Sequence, residues 1–252
     1  MPDIFNCDVI SNEILCESVH AITVSCKSLA GIAHAGQFVS IKCGDERLLR
    51  RPISICRKDN DNLAFAFEVK GEGTRWLSLR KPGESLDVLG MLGNGFTMPE
   101  GNIIVVGGGI GTPPLLFAAQ SSMGNVTAIL GFRDNSKIIL LNEFESLCKS
   151  VYITTDDGSS GIHGTVALPL MELLDKGGYI AVLACGPRAM LKAVADICKQ
   201  YNTSCQVSLE ERMACGVGAC VVCTCATLRD GAMSMSRICK DGPVFDADEV
   251  LW

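Results

Sequence analysis

Hydrophobic and polar positions follow two different rhythms along this chain. Over residues 1–99, short apolar or alternating stretches recur at 21–26, 37–42, 53–56 and 63–69. Turn signals such as Lys58-Asp59-Asn60-Asp61-Asn62 and Lys81-Pro82-Gly83 separate them. Alternation puts every second side chain on one face of a strand, and several short strands at this spacing predict a small antiparallel β-barrel. One helix is expected there, starting near Thr74 and running through Leu79. Over residues 100–207 the rhythm changes. An apolar run at 103–106 leads into a glycine turn and a helical stretch at 113–120. Strand-like runs at 126–130, 151–154 and 180–184 then alternate with helical stretches at 142–148, 166–174 and 189–200. Buried strands alternating with helices predict a doubly wound parallel α/β sheet. Residues 208–252 form a separate, cysteine-bearing segment. The expected fold class is multidomain α/β plus β, with a barrel domain over 1–99, an α/β domain over 100–207 and a small domain over 208–252.

The length of 252 residues allows two or three small domains. The formal charge of −6 argues against nucleic acid as a partner, because phosphate binding needs clustered Lys and Arg. The chain is 48% hydrophobic, yet no apolar run reaches the roughly 18 residues of a membrane span. The surplus apolar surface points to core and to a protein–protein interface. The first residues, Met1-Pro2-Asp3-Ile4-Phe5-Asn6, lack the basic and apolar regions of a signal peptide. Fourteen cysteines in a chain of this size fit a reducing cytoplasm better than a disulfide scaffold.

Four of those cysteines carry the clearest chemistry. Cys215, Cys220 and Cys223 form a C-x4-C-x2-C run, and Cys239 follows with residues 224–238 between. This is the ligand spacing of a plant-type 2Fe–2S cluster. Gly216 and Gly218 suit a loop whose backbone must approach the cluster closely. A zinc site would want a second pair of ligands at short spacing, which is missing. Cys225 is a spare thiol whose distance from Cys220 does not fit the pattern.

Two motifs in the first domain suit a flavin dinucleotide. In Arg51-Pro52-Ile53-Ser54 the guanidinium can bridge a pyrophosphate, the proline fixes the backbone and the serine can bond a ring nitrogen. In Gly71-Glu72-Gly73-Thr74 a helix opens, and its free amides with the Thr74 hydroxyl offer an anion site. Either alone also fits an ordinary turn. In the second domain, Gly107-Gly108-Gly109-Ile110-Gly111-Thr112-Pro113-Pro114 joins a strand to a helix, where glycines let the backbone approach a pyrophosphate. Cys185-Gly186-Pro187 ends a later strand, where open α/β sheets bind ligands. Arg133 and Lys137 could receive a 2′-phosphate and Asp134 would repel it, which leaves NADH and NADPH both open.

Taken together, the chain resembles the ferredoxin–NADP reductase superfamily. Over nearly its whole length it is similar to the electron-transfer subunits of heteromeric dihydroorotate dehydrogenases. The matching stretches are 51–54, 71–74, 90–96, 107–114, 155–159, 185–187, 211–220 and 239–245, the last two being the specific ones. The resemblance implies FAD held by Arg51, Pro52, Ile53, Ser54, Gly73 and Thr74, with backbone contacts from Phe67, Glu68 and Val69. It implies NAD(H) at Gly107, Gly108, Gly109, Gly111 and Thr112, with Cys185, Gly186 and Pro187 beside the nicotinamide. It also implies a partner catalytic subunit whose FMN oxidises dihydroorotate, in a heterotetramer of two copies each, within cytoplasmic pyrimidine biosynthesis. Phe67-Glu68 departs from the Tyr-Arg frequent in the family and puts a carboxylate near the expected pyrophosphate. Two other readings remain. One is the FAD/2Fe–2S subunit of a ferredoxin:NADP oxidoreductase or sulfide dehydrogenase, distinguished by a partner without FMN. The other is an iron–sulfur sensor, distinguished by the lack of bound flavin.

Overall fold

The computed structural model of the protein describes residues 2–229 and 231–252. Six strands close the first barrel: β1 (Asp3–Cys16), β2 (Val19–Ser25), β3 (Phe38–Ile41), β4 (Arg51–Asp59), β5 (Asn62–Glu68) and β6 (Ser85–Leu92). They run β1-β2-β5-β4-β3-β6 and pair antiparallel throughout. Strict alternation in β6 sends Leu86 and Val88 inward to join Ile22, Val39, Ile41 and Phe65, while Leu92 packs with Phe38 in the second core. The sequence pattern does not reveal the long β1, because Cys7 and Val9 are its only buried residues and the exposed Ile4, Ile10 and Ile14 break any alternation. Two short helices lie on the barrel, α1 (Lys27–Gly31) and α2 (Glu72–Ser78), the second starting two residues before the expected Thr74.

The second sheet contains β7 (Ile103–Gly108), β8 (Val126–Phe132), β9 (Ser150–Thr155), β10 (Ile162–His163), β11 (Ala181–Cys185) and β12 (Ser204–Ser208), all parallel. Its order is β10-β9-β8-β7-β11-β12, with β15 (Val244–Asp246) at the far edge. The chain reverses its direction of travel across the sheet at β7, so the glycine turn after β7 sits at the switch point where open sheets bind ligands. Helices α3 (Thr112–Ser121), α4 (Leu141–Leu147), α5 (Ala167–Lys176) and α6 (Arg188–Gln200) complete the alternation within two residues of the expected bounds. Helix α6 buries Leu191, Val194, Ala195, Ile197 and Cys198 along one face, as an amphipathic surface helix should. Helix α3 is different. Every residue from Thr112 to Ala119 is buried, because the helix lies between β7 of the sheet and β4 of the barrel. Gln120 at its end exchanges two hydrogen bonds with the Lys58 backbone, at 3.2 and 2.6 Å.

The C-terminal segment contains a hairpin of β13 (Thr224–Arg229) and β14 (Ala232–Arg237), but it does not stand apart from the sheet. Its β15 runs antiparallel beside β12, with Val207 opposite Phe245. The same region clasps the barrel exit. Asn94 N donates to Gly242 O at 2.6 Å, and the Gln206 amide bonds both the N–H and the carbonyl of Thr97, at 2.9 and 2.8 Å. Gly93 has φ +70°, and a Cβ there would meet Pro243 Cδ at 2.5 Å, so only glycine fits this junction. Among the described residues no helix is long and apolar enough to cross a membrane.

Candidate functional site

A cleft of about 800 Å³ lies where the three parts meet, bringing Arg51, Pro52 and Thr74 of the barrel against Gly186 and Pro187 after β11 and against residues 209–214. Its barrel wall comes from a split between two strands. β4 and β5 pair only from Ile55 and Phe65 toward their hairpin turn. Beyond that point Arg51, Pro52, Ile53 and Ser54 pair with β3, while Ala66, Phe67 and Glu68 pair with β2. The facing strand edges therefore keep backbone groups that no strand ladder satisfies, the kind of border that a flat ring rimmed with donors and acceptors can complete.

Arg51 folds over the first turn of α2. A Cβ on Gly73 would strike Arg51 Nε and come 2.7 Å from Cζ, so the guanidinium lies directly on the glycine backbone. Arg51 Nη1 also donates to the Leu49 carbonyl, which fixes the side chain at the mouth of the cleft. Thr74 differs from expectation. Its hydroxyl accepts from Lys70 N and Gly71 N at 3.0 and 3.2 Å and donates to Gly71 O at 3.1 Å. It organises its own turn rather than standing free for a phosphate. Phe67 turns its ring inward and stacks on His20, with centroids 5.9 Å apart. Val69 N is taken by Ser18 O at 2.8 Å, so Phe67 and Glu68 supply the open backbone edge. The Glu68 carboxylate meets Lys70 Nζ at 3.0 Å, and this ammonium offsets the charge that would otherwise repel a pyrophosphate.

The nucleotide side is built by close approach. A Cβ on Gly111 would lie 2.5 Å from Cys185 O and 2.6 Å from Gly186 Cα, so the loops after β7 and β11 touch only because Gly111 has no side chain. Gly107 and Gly108 end β7, and Gly109 has φ +52° with open space before it. Burial pushes the Cys185 thiol up to about 12, against a smaller opposing effect of the Ser208 side chain, so it stays neutral. Thr112 is fully buried and its Oγ1 has no hydrogen-bond partner. An orphan hydroxyl of this kind costs about 1–3 kcal/mol unless a ligand satisfies it. Thr112→Val should therefore raise the stability of the cofactor-free chain by about 1 kcal/mol and weaken its nicotinamide nucleotide binding. Thermal denaturation with and without NAD checks both signs, and a destabilised variant with unchanged NAD binding would remove Thr112 from the site.

The cysteine loop is shaped for thiolates. Cys215 Sγ accepts from Val217 N at 3.5 Å and Cys220 N at 3.4 Å, Cys239 Sγ from Gly218 N at 3.1 Å, and Cys223 Sγ from Cys239 N at 3.4 Å. Burial works against ionisation of Cys215, but the Cys220 and Val217 amides, with further help from Cys220 Sγ and the Ala219 amide, outweigh it and draw this thiol down to about 6. Burial pushes Cys239 up to about 12, reinforced by the adjacent Cys223 thiol. Backbone amides thus link the four cysteines in two pairs, Cys220 N to Cys215 Sγ and Cys239 N to Cys223 Sγ. Among the described residues no three His, Cys, Asp or Glu side chains converge as one metal ion would require. Gly216 and Gly218 adopt φ +70° and +82°. Arg237 Nη1 bonds Gly218 O at 3.2 Å while its Nε pairs with Asp241 at 3.1 Å, holding the loop from behind. Cys225 is buried in β13 and its thiol is raised by burial, as suits a core residue.

Glu210 and Glu211, whose residue types and spacing mark no site, also line the cleft with Arg188, Arg212 and Met213. The available signal was their place just after a strand end and before the first cluster cysteine. Trp252 is partly buried, with the Arg188 guanidinium 5.7 Å over its ring and Arg188 Nη2 bonded to Leu251 O at 2.9 Å. Packing accounts for it.

A family model described as the iron–sulfur cluster binding domain of dihydroorotate dehydrogenase B matches residues 210–251. A dihydroorotate dehydrogenase B (NAD(+)) electron transfer subunit from Caldanaerobacter subterraneus is 40% identical over 246 residues, covering 97% of each chain. Its counterpart from Desulforamulus reducens is 37% identical over 261 residues, covering 100% of each. Among solved structures, an NADH-dependent reduced ferredoxin–NADP oxidoreductase studied for flavin-based electron bifurcation superposes with a TM-score of 0.87 at 28% identity, over 98% of this chain and 90% of that one. A flavohemoglobin from Malassezia yamatoensis with bound FAD and heme shares the fold, with a TM-score of 0.63 at 17% identity, over 79% and 57%. The structural likeness reaches into the runner-up class, but the higher, full-length identities decide between them: the chain belongs to the family of dihydroorotate dehydrogenase B (NAD(+)) electron transfer subunits.

Proposed function

We propose that this chain carries electrons from the FMN of a separate dihydroorotate-oxidising subunit to NAD, in a cytoplasmic assembly of two copies of each subunit. When bound, FAD exchanges hydride with the nicotinamide and single electrons with the 2Fe–2S cluster, so a two-electron carrier and a one-electron relay meet in one chain. Residues 1–99 hold the flavin, 100–207 the nicotinamide nucleotide and 208–252 the cluster. Arg51 neutralises the flavin pyrophosphate, and the split between β4 and β5 receives the ring edge. Gly107, Gly108, Gly109, Gly111 and Thr112 take the nicotinamide dinucleotide, with Cys185, Gly186 and Pro187 closing over its reactive end. Cys215, Cys220, Cys223 and Cys239 hold the irons.

One observation carries this reading. The cleft lined by Arg51, Pro52, Gly186 and Pro187 is also lined by Met213 and Ala214, the residues that lead directly into Cys215. This shared lining supports a flavin site, a nicotinamide site and a cluster loop that lie side by side. Val221 and Val222 on that loop are more than half exposed, as are Met233 and Met235 on the neighbouring hairpin, which supports docking of the partner against this face. The test is to purify the chain with its native partner and measure dihydroorotate-dependent reduction of NAD. The chain alone, loaded with FAD, should pass electrons from NADH to a dye but oxidise no dihydroorotate. A native partner lacking FMN would favour the ferredoxin:NADP oxidoreductase or sulfide dehydrogenase reading.

A further inference from the structure

The rim of the nucleotide site beyond β8 carries charges that the electron path does not use. A dinucleotide whose pyrophosphate lies at the loop after β7 extends across the carboxyl end of the next parallel strand, so its adenosine ribose faces the residues that follow β8. Here these include Arg133, Asp134 and Lys137. Asp134 Oδ1 accepts from Ser136 N at 2.8 Å and from the Ser136 hydroxyl at 2.5 Å. Both bonds fall on Oδ1 and leave Oδ2 for a ribose hydroxyl to donate to. The neighbouring loop after β9 repeats the device. Asp157 Oδ1 accepts from Ser159 N at 2.9 Å and the Ser159 hydroxyl at 2.6 Å, and these bonds hold Asp157 below the usual carboxylate range. Asn135 N donates to Ser159 Oγ at 2.8 Å and ties the two loops together. Of the two cations nearby, Lys137 is engaged from the barrel: its Nζ lies 3.3 Å from Glu17, in the turn between β1 and β2. Arg133 has no carboxylate within ion-pair distance among the described residues.

We infer that Asp134 and Glu17 determine the preference for NAD(H) over its 2′-phosphorylated counterpart. Asp134 accepts the ribose 2′-hydroxyl and repels a phosphate in its place, while Glu17 keeps the Lys137 ammonium occupied on the barrel. This assignment rests on the reading of the chain as a nicotinamide-linked electron carrier. Neither residue touches the reacting atoms; both act on the far end of the co-substrate.

The experiment compares kcat/KM for NADH and for NADPH in the FAD-loaded complex, with an artificial dye as acceptor. The forms compared are wild type, Asp134→Asn, Glu17→Gln and the double variant. Asparagine keeps Oδ1 for Ser136 N, so the turn survives, while the charge is lost and an amide nitrogen replaces the Oδ2 acceptor. Each single variant should raise NADPH efficiency about fivefold and the pair about twentyfold, the scale of a unit charge at about 4 Å in water. NADH efficiency should hold in Glu17→Gln and should not rise in Asp134→Asn, where the ribose hydroxyl loses its carboxylate acceptor. A purely structural role would lower both nucleotides together and leave their ratio unmoved, which would overturn the assignment, as would a wild-type protein that uses both equally. If neither nucleotide reduces the dye through bound flavin, the functional reading itself falls and this assignment falls with it.

Discussion

Serine in place of Cys215, Cys220, Cys223 or Cys239 is expected to remove the iron–sulfur cluster and to abolish NAD reduction by dihydroorotate. Each change deletes one thiolate from a set of four with no replacement in reach. Cys225, the nearest spare, is a buried residue of β13 itself and cannot move to the loop without unpacking the hairpin. The four positions are not equivalent in the free chain. Cys215 and Cys220 lie on the solvent side, whereas Cys223 and Cys239 are buried. Loss of either inner thiol should therefore cost folding stability as well as iron. Iron and labile sulfide per chain measure the first effect, and Cys225→Ser, which should keep its iron, is the control. Iron retained in Cys223→Ser but lost in Cys225→Ser would show the ligand set to be wrong. NADH-to-dye activity separates the roles further, because it needs the nicotinamide and flavin sites but not the cluster. A cluster-free complex that still assembles, keeps FAD and makes NADH from dihydroorotate at the normal rate would reduce the cluster to a structural element.

The sequence was most legible where chemistry demands a fixed spacing or a special backbone. Four cysteines at set intervals, a glycine turn after an apolar strand and an arginine before a proline could each be read from residue types alone. The alternation of 100–207 was equally clear, since buried parallel strands read as continuous apolar runs. What could not be read is what tertiary partners decide. β12 carries buried Gln206 and Ser208, polar residues that look like loop until the Gln206 amide is seen to satisfy the backbone of Thr97. β15 has three residues and no pattern of its own, and it becomes a strand because β12 offers an edge. Thr74 has the right type and place for a phosphate contact, yet its hydroxyl is spent within its own turn, a competition typical of Thr near a helix start. The ion pairs of Glu68 with Lys70 and of Glu17 with Lys137 decide what charge the clefts present, and spacing suggested neither.

Arg51→Ala is expected to weaken FAD retention by roughly ten- to a hundredfold, because a charge-assisted contact to a phosphate is worth about 1.5–3 kcal/mol. The guanidinium is placed for that contact before any ligand arrives. It lies flat on Gly73 at the start of α2, and the Leu49 carbonyl holds one of its nitrogens. Preorganisation of this kind means that little side-chain freedom is lost on binding, so removing the charge should appear almost fully in affinity. Arg51→Lys tests geometry apart from charge. A lysine keeps the positive charge but cannot cover the glycine backbone or bond bidentately, so it should recover only part of the lost affinity. The barrel should tolerate both changes, since Arg51 is half-exposed and its β4 backbone pairing with Ile41 does not depend on the side chain. Flavin content after gel filtration and a titration of the stripped protein with FAD give the measurement, with thermal denaturation of the stripped variants as the check on folding. Wild-type affinity in Arg51→Ala would move the pyrophosphate elsewhere in the cleft, with Arg50 on the same wall and Arg188 and Arg212 on the opposite one as the remaining cations to test.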